Sequence, residues 1–311
     1  MTPLKDMTLQ NDIEQEVAVR WPKVKKALSI ALPVALLLGL GVIALRVFAP
    51  EKALQLWSEI PTLLGSTNFW LFVLVGFFAQ VIDGALGMAY GVSSTSFLLS
   101  LGVSPAAASA AVHVAEVFTT GVSGISHWQL GNVKRKLFLS LIVPGVIGAV
   151  AGAYLLSEIV DGDAVKPYIA AYLLLMGFVI IRKALKKVNH TNDHGRVESL
   201  ALLGGFVDAV GGGGWGPVVN STLISRGYDV RYSIGSVNTA EFFIALAGAG
   251  TFTFFMGLGN LPIIIGLVFG GVFAAPFAAL LVKRVPARTL MIIVGLLVVL
   301  LSLRTIILSI L

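Results

Sequence analysis

Residues 204–217 read Gly204-Gly205-Phe206-Val207-Asp208-Ala209-Val210-Gly211-Gly212-Gly213-Gly214-Trp215-Gly216-Pro217. They lie in the middle of an apolar run, 199–225, that would otherwise read as one membrane-crossing helix. Four consecutive glycines followed by a proline break that helix, because glycine is the weakest helix former apart from proline. A second run, 69–101, is interrupted in the same way at Asp83-Gly84-Ala85-Leu86-Gly87. Broken backbone at membrane depth is tolerated only where it faces protein or a cavity. The two breaks are related. Sliding the chain against itself by 125 residues gives 11 identities in the 38 positions from 81–118 against 206–243, where chance at ordinary composition gives about three. The matches include Asp83 with Asp208, Gly87 with Gly212, Gly91 with Gly216, Glu116 with Glu241 and Phe118 with Phe243.

Composition says what solvent surrounds these breaks. Of 311 residues, 57% are hydrophobic and 12% charged, and the mean hydropathy is +0.91; soluble domains carry about a quarter charged residues. The chain reads as an all-α polytopic membrane protein. Thirty-four glycines fit closely packed membrane helices. With no cysteine, disulfides and thiolate-held metals or clusters are excluded. The net charge of +6 comes from short basic clusters between apolar runs. That is the pattern of cytoplasmic membrane loops, not of a nucleic-acid-binding surface.

Further apolar runs lie at 28–48, 106–126, 137–156, 164–182, 233–256, 261–282 and 287–310, most of them about 20 residues, enough to cross a bilayer core of about 30 Å. The run 28–48 is too long for a signal-peptide core and reads as an extra first span behind a cytoplasmic segment, 1–27. If both broken segments crossed the membrane, the 22 Lys and Arg would divide 11 and 11 between the two sides. If both are re-entrant, 18 fall inside and four, Arg46, Lys52, Lys166 and Arg304, fall outside. The positive-inside rule selects the second arrangement: seven spanning helices plus two re-entrant glycine-broken hairpins, with the N-terminus inside. Residues 69–182 and 199–310 then form two transport repeats. Three crossings per repeat force the second copy to be inverted relative to the first, a design that recurs in secondary transporters with a midplane substrate site.

The residues that could carry chemistry cluster at the breaks. A half-helix starting after each break would aim free amides and the positive end of its dipole at the protein interior, a cradle for an anion that needs no basic side chain. The expected substrate contacts are Gly84, Gly87, Met88, Tyr90 and Ser93 in the first repeat and Gly211, Gly212, Gly213, Trp215 and Asn220 in the second. Tyr90 and Trp215 align 125 residues apart and either line a pocket with polar donors or pack and bridge helices. Asp83 and Asp208 are either buried functional carboxylates or caps of the chain at its turns. Glu116 and Glu241 lie in mid-span, where capping is unavailable; they either bind protons for coupling or join two helices by a hydrogen bond. His113, one turn before Glu116, has Asn238 as its counterpart before Glu241, and all six are candidates for coupling or gating.

These hallmarks, 76–91 and 204–217, resemble the TauE/SafE sulfite exporter family, also called the toluene sulfonate uptake permease family. The resemblance covers about 69–310, although Ala85-Leu86-Gly87-Met88-Ala89-Tyr90-Gly91 has fewer glycines than its counterpart and no proline. It implies a transporter, often an exporter, of sulfite, organosulfonates or related small anions; the chain is expected in the cytoplasmic membrane, with protons as candidate coupling ions and no cofactor, metal or catalytic residue. A homodimer is left open. Two other functions share some of these features. A channel can be built from the same midplane half-helices. An intramembrane serine protease is hinted at by Gly121-Val122-Ser123-Gly124, but His113, ten residues upstream, would stand about 15 Å away along the same helix.

Overall fold

The computed structural model describes residues 51, 58, 61, 62, 64–185, 196–257, 259, 261–281 and 286–310. All but Glu51 belong to the compact unit Leu54–Leu311. The expected extra helix over 28–48 and the segment 1–27 lie outside the described residues, as do residues 186–195.

Every regular element among the described residues is helical. In chain order they are α1 (Thr67–Leu86), α2 (Tyr90–Ser100), α3 (Pro105–Gln129), α4 (Arg135–Tyr154, extended by a π-turn Leu155–Ile159), α5 (Gly162–Leu185) and α6 (Val197–Gly211). A π-turn, Gly216–Asn220, leads into the short α7 (Ser221–Ser225), followed by α8 (Val230–Met256), α9 (Leu261–Leu281) and α10 (Ala287–Ile310). Starts and stops follow local chemistry. The Ser66 hydroxyl caps α1 by accepting from the Phe69 amide at 3.2 Å, and Asp229 caps α8 by accepting from Tyr232 at 3.1 Å. Pro105 opens α3, where its missing N–H costs nothing.

The boundaries recur at the spacing read from the sequence. Helices α1 and α6 end at 86 and 211, α2 and α7 at 100 and 225, and α5 and α10 at 185 and 310, while α3 and α8 begin at 105 and 230. Each of these pairs is 125 residues apart. Packing follows the same correspondence: α1 lies along α9 as α6 lies along α4, α3 pairs with α8, and α5 with α10. Close approach at these seams depends on small residues. A methyl on Gly76 would stand 2.7 Å from the Leu267 Cα, and one on Gly148 would stand 2.8 Å from the Phe206 amide nitrogen.

Polarity is arranged inside out. On α1, Trp70, Leu74 and Phe78 face outward along one stripe, as do Leu139, Val143, Ile147 and Tyr154 on α4, and Phe254 is 82% exposed. The interior holds Ser94, Ser109, His113, Asn220, Ser233 and Ser236, each completely buried. A soluble protein would bury the first group and solvate the second; a protein dissolved in lipid does the reverse. Four described helices are long and apolar enough to cross a membrane: Arg135–Ile159, Ala164–Leu185, Val230–Met256 and Arg288–Ile310. The run 106–126 is helical within α3 but more polar, because α3 carries the buried His113 and Glu116. Helix α1 is longer than a half-helix: its 20 residues reach about 30 Å at 1.5 Å per residue.

Candidate functional site

The two glycine breaks are built alike. After α1, Gly87 takes the left-handed conformation (φ 65°, ψ 29°), and its amide donates to the Asp83 carbonyl at 2.6 Å. After α6, Gly212 does the same (φ 63°, ψ 27°), with its amide directed to the Asp208 carbonyl. A side chain in that region is strained, so glycine at both positions has a conformational cause. After Gly212 the chain restarts under the Asp208 carboxylate, whose Oδ1 accepts from the Trp215 amide at 2.8 Å. Asp208 therefore bridges its break as a cap, whatever else it does.

Each break is braced by the half-helix of the other. The Thr95 hydroxyl on α2 donates to the Gly212 carbonyl, and the Asn220 amide donates to the Gly87 carbonyl at 3.4 Å; Thr95 and Asn220 are themselves 125 positions apart. The breaks also touch. A methyl on Gly91 would fall 2.7 Å from the Gly213 Cα, and one on Gly216 would fall 2.9 Å from the Met88 Cα. Glu116 is the twelfth of the 25 residues of α3 and Tyr172 the eleventh of the 24 of α5. Since Glu116 Oε1 faces Gly91 and the Tyr172 hydroxyl donates to the Gly213 carbonyl at 3.0 Å, the crossing lies level with the middle of the longest helices.

The expected residues come together here, but not all face the crossing. Gly84 lies within α1 and Gly211 ends α6 against the Tyr172 ring. Ser93 is buried, and its hydroxyl has no hydrogen-bond partner. The Tyr90 hydroxyl turns toward the Leu267 carbonyl of α9 at 3.4 Å. The Trp215 indole, completely buried, donates to the Val237 carbonyl of α8 at 3.2 Å. These two aromatics bridge helices, one of the two roles open to them from sequence. Asn238 donates to the Ser123 hydroxyl at 3.1 Å. The recorded partners of His113 are Ser109 and Asp208, and that of His127 is Asn132. Ser123 of the protease-like motif thus has Asn238 as its partner.

The carboxyls converge. Glu116 and Asp208, each 2% exposed, come with His113 to within 4.8 Å of one another through one ligand-capable atom each. Asp83 and Glu241, half-buried, are the counterparts of Asp208 and Glu116 at the 125-residue spacing. Two basic side chains bond to backbone: Lys183 donates to the Pro217 carbonyl at 2.7 Å, and Arg304 to the Ser100 carbonyl that ends α2. A cation at the carbonyl end of α2 complements its dipole and leaves the amide end for negative charge. Sequence reasoning did not single out Tyr172, Ser109 or Lys183, whose partners are 41, 100 and 34 residues away along the chain. Nothing local marks such contacts.

The chain is similar in sequence to known membrane transporters. Residues 72–305 match the family model described as Sulfite exporter TauE/SafE. The chain is 44% identical over 247 residues to the Probable membrane transporter protein YtnM of Bacillus subtilis (strain 168), an alignment that spans 76% of this chain and 82% of that protein. No solved structure matches.

Proposed function

Because the chain belongs to the TauE/SafE sulfite exporter family and is a multi-pass membrane transporter, we propose that it is a secondary transporter that exports a small anion, such as sulfite or an organosulfonate, across the cytoplasmic membrane. The anion sits between the two breaks, with the N-terminus of the chain inside. The observation that carries this reading is the matched pair of breaks, alike in conformation at Gly87 and Gly212 and cross-braced by Thr95 and Asn220. Backbone amides at the start of the second half-helices supply the positive field. Gly91 and Gly213 touch in this conformation, so the anion enters when the breaks part. That motion belongs to a carrier with alternating access and inverted repeats, and it favours a carrier over an open channel. Glu116 and Glu241 take up the coupling protons.

A thermal-shift screen of the purified protein against sulfite, sulfate, thiosulfate, sulfoacetate, isethionate and taurine tests the substrate class. Sulfite or a sulfonate should raise the melting temperature in a concentration-dependent way, and the same anion should drive counterflow in proteoliposomes. No shift and no counterflow with any of the six would overturn the reading. Glu116→Gln and Glu241→Gln keep shape and hydrogen bonding but remove a titratable proton. Each is expected to abolish proton-driven accumulation while leaving counterflow; unchanged pH dependence in both would make the glutamates structural.

The inverted arrangement has its own test. The exposed Ser104 and Ser225 lie where the two broken segments end. In this cysteine-free chain, Ser104→Cys should react with an impermeant maleimide from outside and Ser225→Cys from inside. Reaction of both from one side would rule out the inverted repeat.

A further inference from the structure

We propose that His113, Glu116 and Asp208 form a binding site for a divalent transition-metal cation of the Zn²⁺, Mn²⁺ or Co²⁺ class. The three residues come from both halves of the bundle, the first two from α3 and the third from the end of α6. His113 is completely buried, and Glu116 and Asp208 are each 2% exposed. Each presents an atom without a hydrogen-bond partner: His113 Nε2, Glu116 Oε2 and Asp208 Oδ2. Orphaned polar atoms at such depth are costly, and three of them in one place call for a shared partner.

The histidine decides what that partner is. His113 Nδ1 stands 2.9 Å from the Ser109 carbonyl, an acceptor, so Nδ1 carries the ring proton and Nε2 presents a lone pair. A backbone carbonyl fixing the distal nitrogen in this way is the usual support of a metal-bound imidazole. Nε2 faces Asp208 Oδ2 at 3.4 Å, so two electron-rich atoms oppose each other with a carboxylate oxygen of Glu116 nearby. A cation relieves all three at once, whereas a single proton joins two of them. Ligand atoms around a tetrahedral zinc stand about 3.3 Å apart, given bonds of about 2.0 to 2.1 Å. The 4.8 Å limit on the present separations therefore closes with side-chain movement of about an ångström.

Charge and chemistry agree. A neutral imidazole, two carboxylates and a divalent ion sum to zero, which a low-dielectric interior favours. Nitrogen with two carboxylate oxygens suits zinc, manganese and cobalt, and three protein ligands leave a coordination position open. The counterpart cluster, Asn238, Glu241 and Asp83, has an amide in place of the imidazole, and that amide is committed to Ser123. The site is one-sided although the breaks are paired. Gly248 makes room for it: a methyl there would lie 2.6 Å from the His113 Cδ2.

The test uses the full chain, freed of any affinity tag and stripped with chelator. The other three histidines are removed by His127→Gln, His190→Gln and His194→Gln, so that His113 is the one remaining imidazole. Co²⁺ is titrated and followed by its visible d–d absorption, and Zn²⁺ binding is measured by calorimetry without any transported anion. Saturation at one ion per chain is expected, with His113→Gln, Glu116→Gln and Asp208→Asn each weakening Zn²⁺ at least tenfold. Gly248→Ala should weaken it and perturb the Co²⁺ spectrum by moving the ring, and Glu198→Gln, on an exposed surface residue, should change nothing. Melting curves establish that each variant is folded. No stoichiometric binding in the parent overturns the proposal, as does binding within threefold of the parent in two of the three ligand variants. Because no anion is present, the result stands or falls separately from the transport reading.

Discussion

Replacing either Gly87 or Gly212 with valine is expected to abolish anion binding. Both glycines are left-handed, with φ of 65° and 63°, and a β-branched residue there costs at least about 1–2 kcal/mol of backbone strain. Strain is not the whole effect. A side chain at Gly212 runs into Thr95, whose Cγ2 would be 2.7 Å from the new Cβ, and one at Gly87 meets Ile234 Cγ2 at 3.1 Å. A side chain at Gly212 displaces α2, which braces that break through Thr95, and one at Gly87 presses on α8 through Ile234, so the amides lose their aim. Amide hydrogen bonds to a charged group are worth about 1.5–3 kcal/mol each. Losing two or more lowers affinity at least a hundredfold, with about 1.4 kcal/mol per factor of ten. Gly131 provides the control, since it too is left-handed (φ 66°) but has nothing within 4 Å of a new Cβ. Gly131→Val should carry the same strain and bind the anion as the parent does. Calorimetry on folded protein checks all three, and a Gly87→Val or Gly212→Val variant within threefold of the parent removes that break from the binding site.

The second large effect concerns Asp208. Asp208→Ala leaves the Trp215 amide without its acceptor, and a buried amide stripped of a charged partner costs about 1.5–3 kcal/mol. Asp208→Asn removes the same charge from beside Glu116 but keeps a carbonyl oxygen within reach of that amide. Electrostatic relief is common to both variants, so the difference between their stabilities isolates the cap. We expect the alanine variant to melt well below the asparagine variant. Equal melting of Asp208→Ala and Asp208→Asn would mean that the carboxylate is not what restarts the chain at Trp215.

Much of this molecule is local, and therefore legible in the sequence. Hydrophobic runs of bilayer length are set by the thickness of the solvent they cross, so the helices at 137–156, 164–182, 233–256 and 287–310 appear where composition places them. The breaks are equally local, because a glycine that must adopt positive φ announces itself, and the 125-residue period carries Gly87 onto Gly212 and Asp83 onto Asp208. Family membership followed from the same glycines. Tertiary structure alone decided which residues meet. That Thr95 holds the Gly212 carbonyl, that Tyr172 seals Gly213, and that Asp208 joins His113 and Glu116 depend on how α2, α3, α5 and α6 cross. Those crossings are fixed by side-chain packing and close glycine contacts between segments far apart in the chain, which no local pattern encodes. Sequence placed the acids in the bilayer; only packing turned Tyr90 and Trp215 into struts between helices and left one imidazole facing two carboxylates.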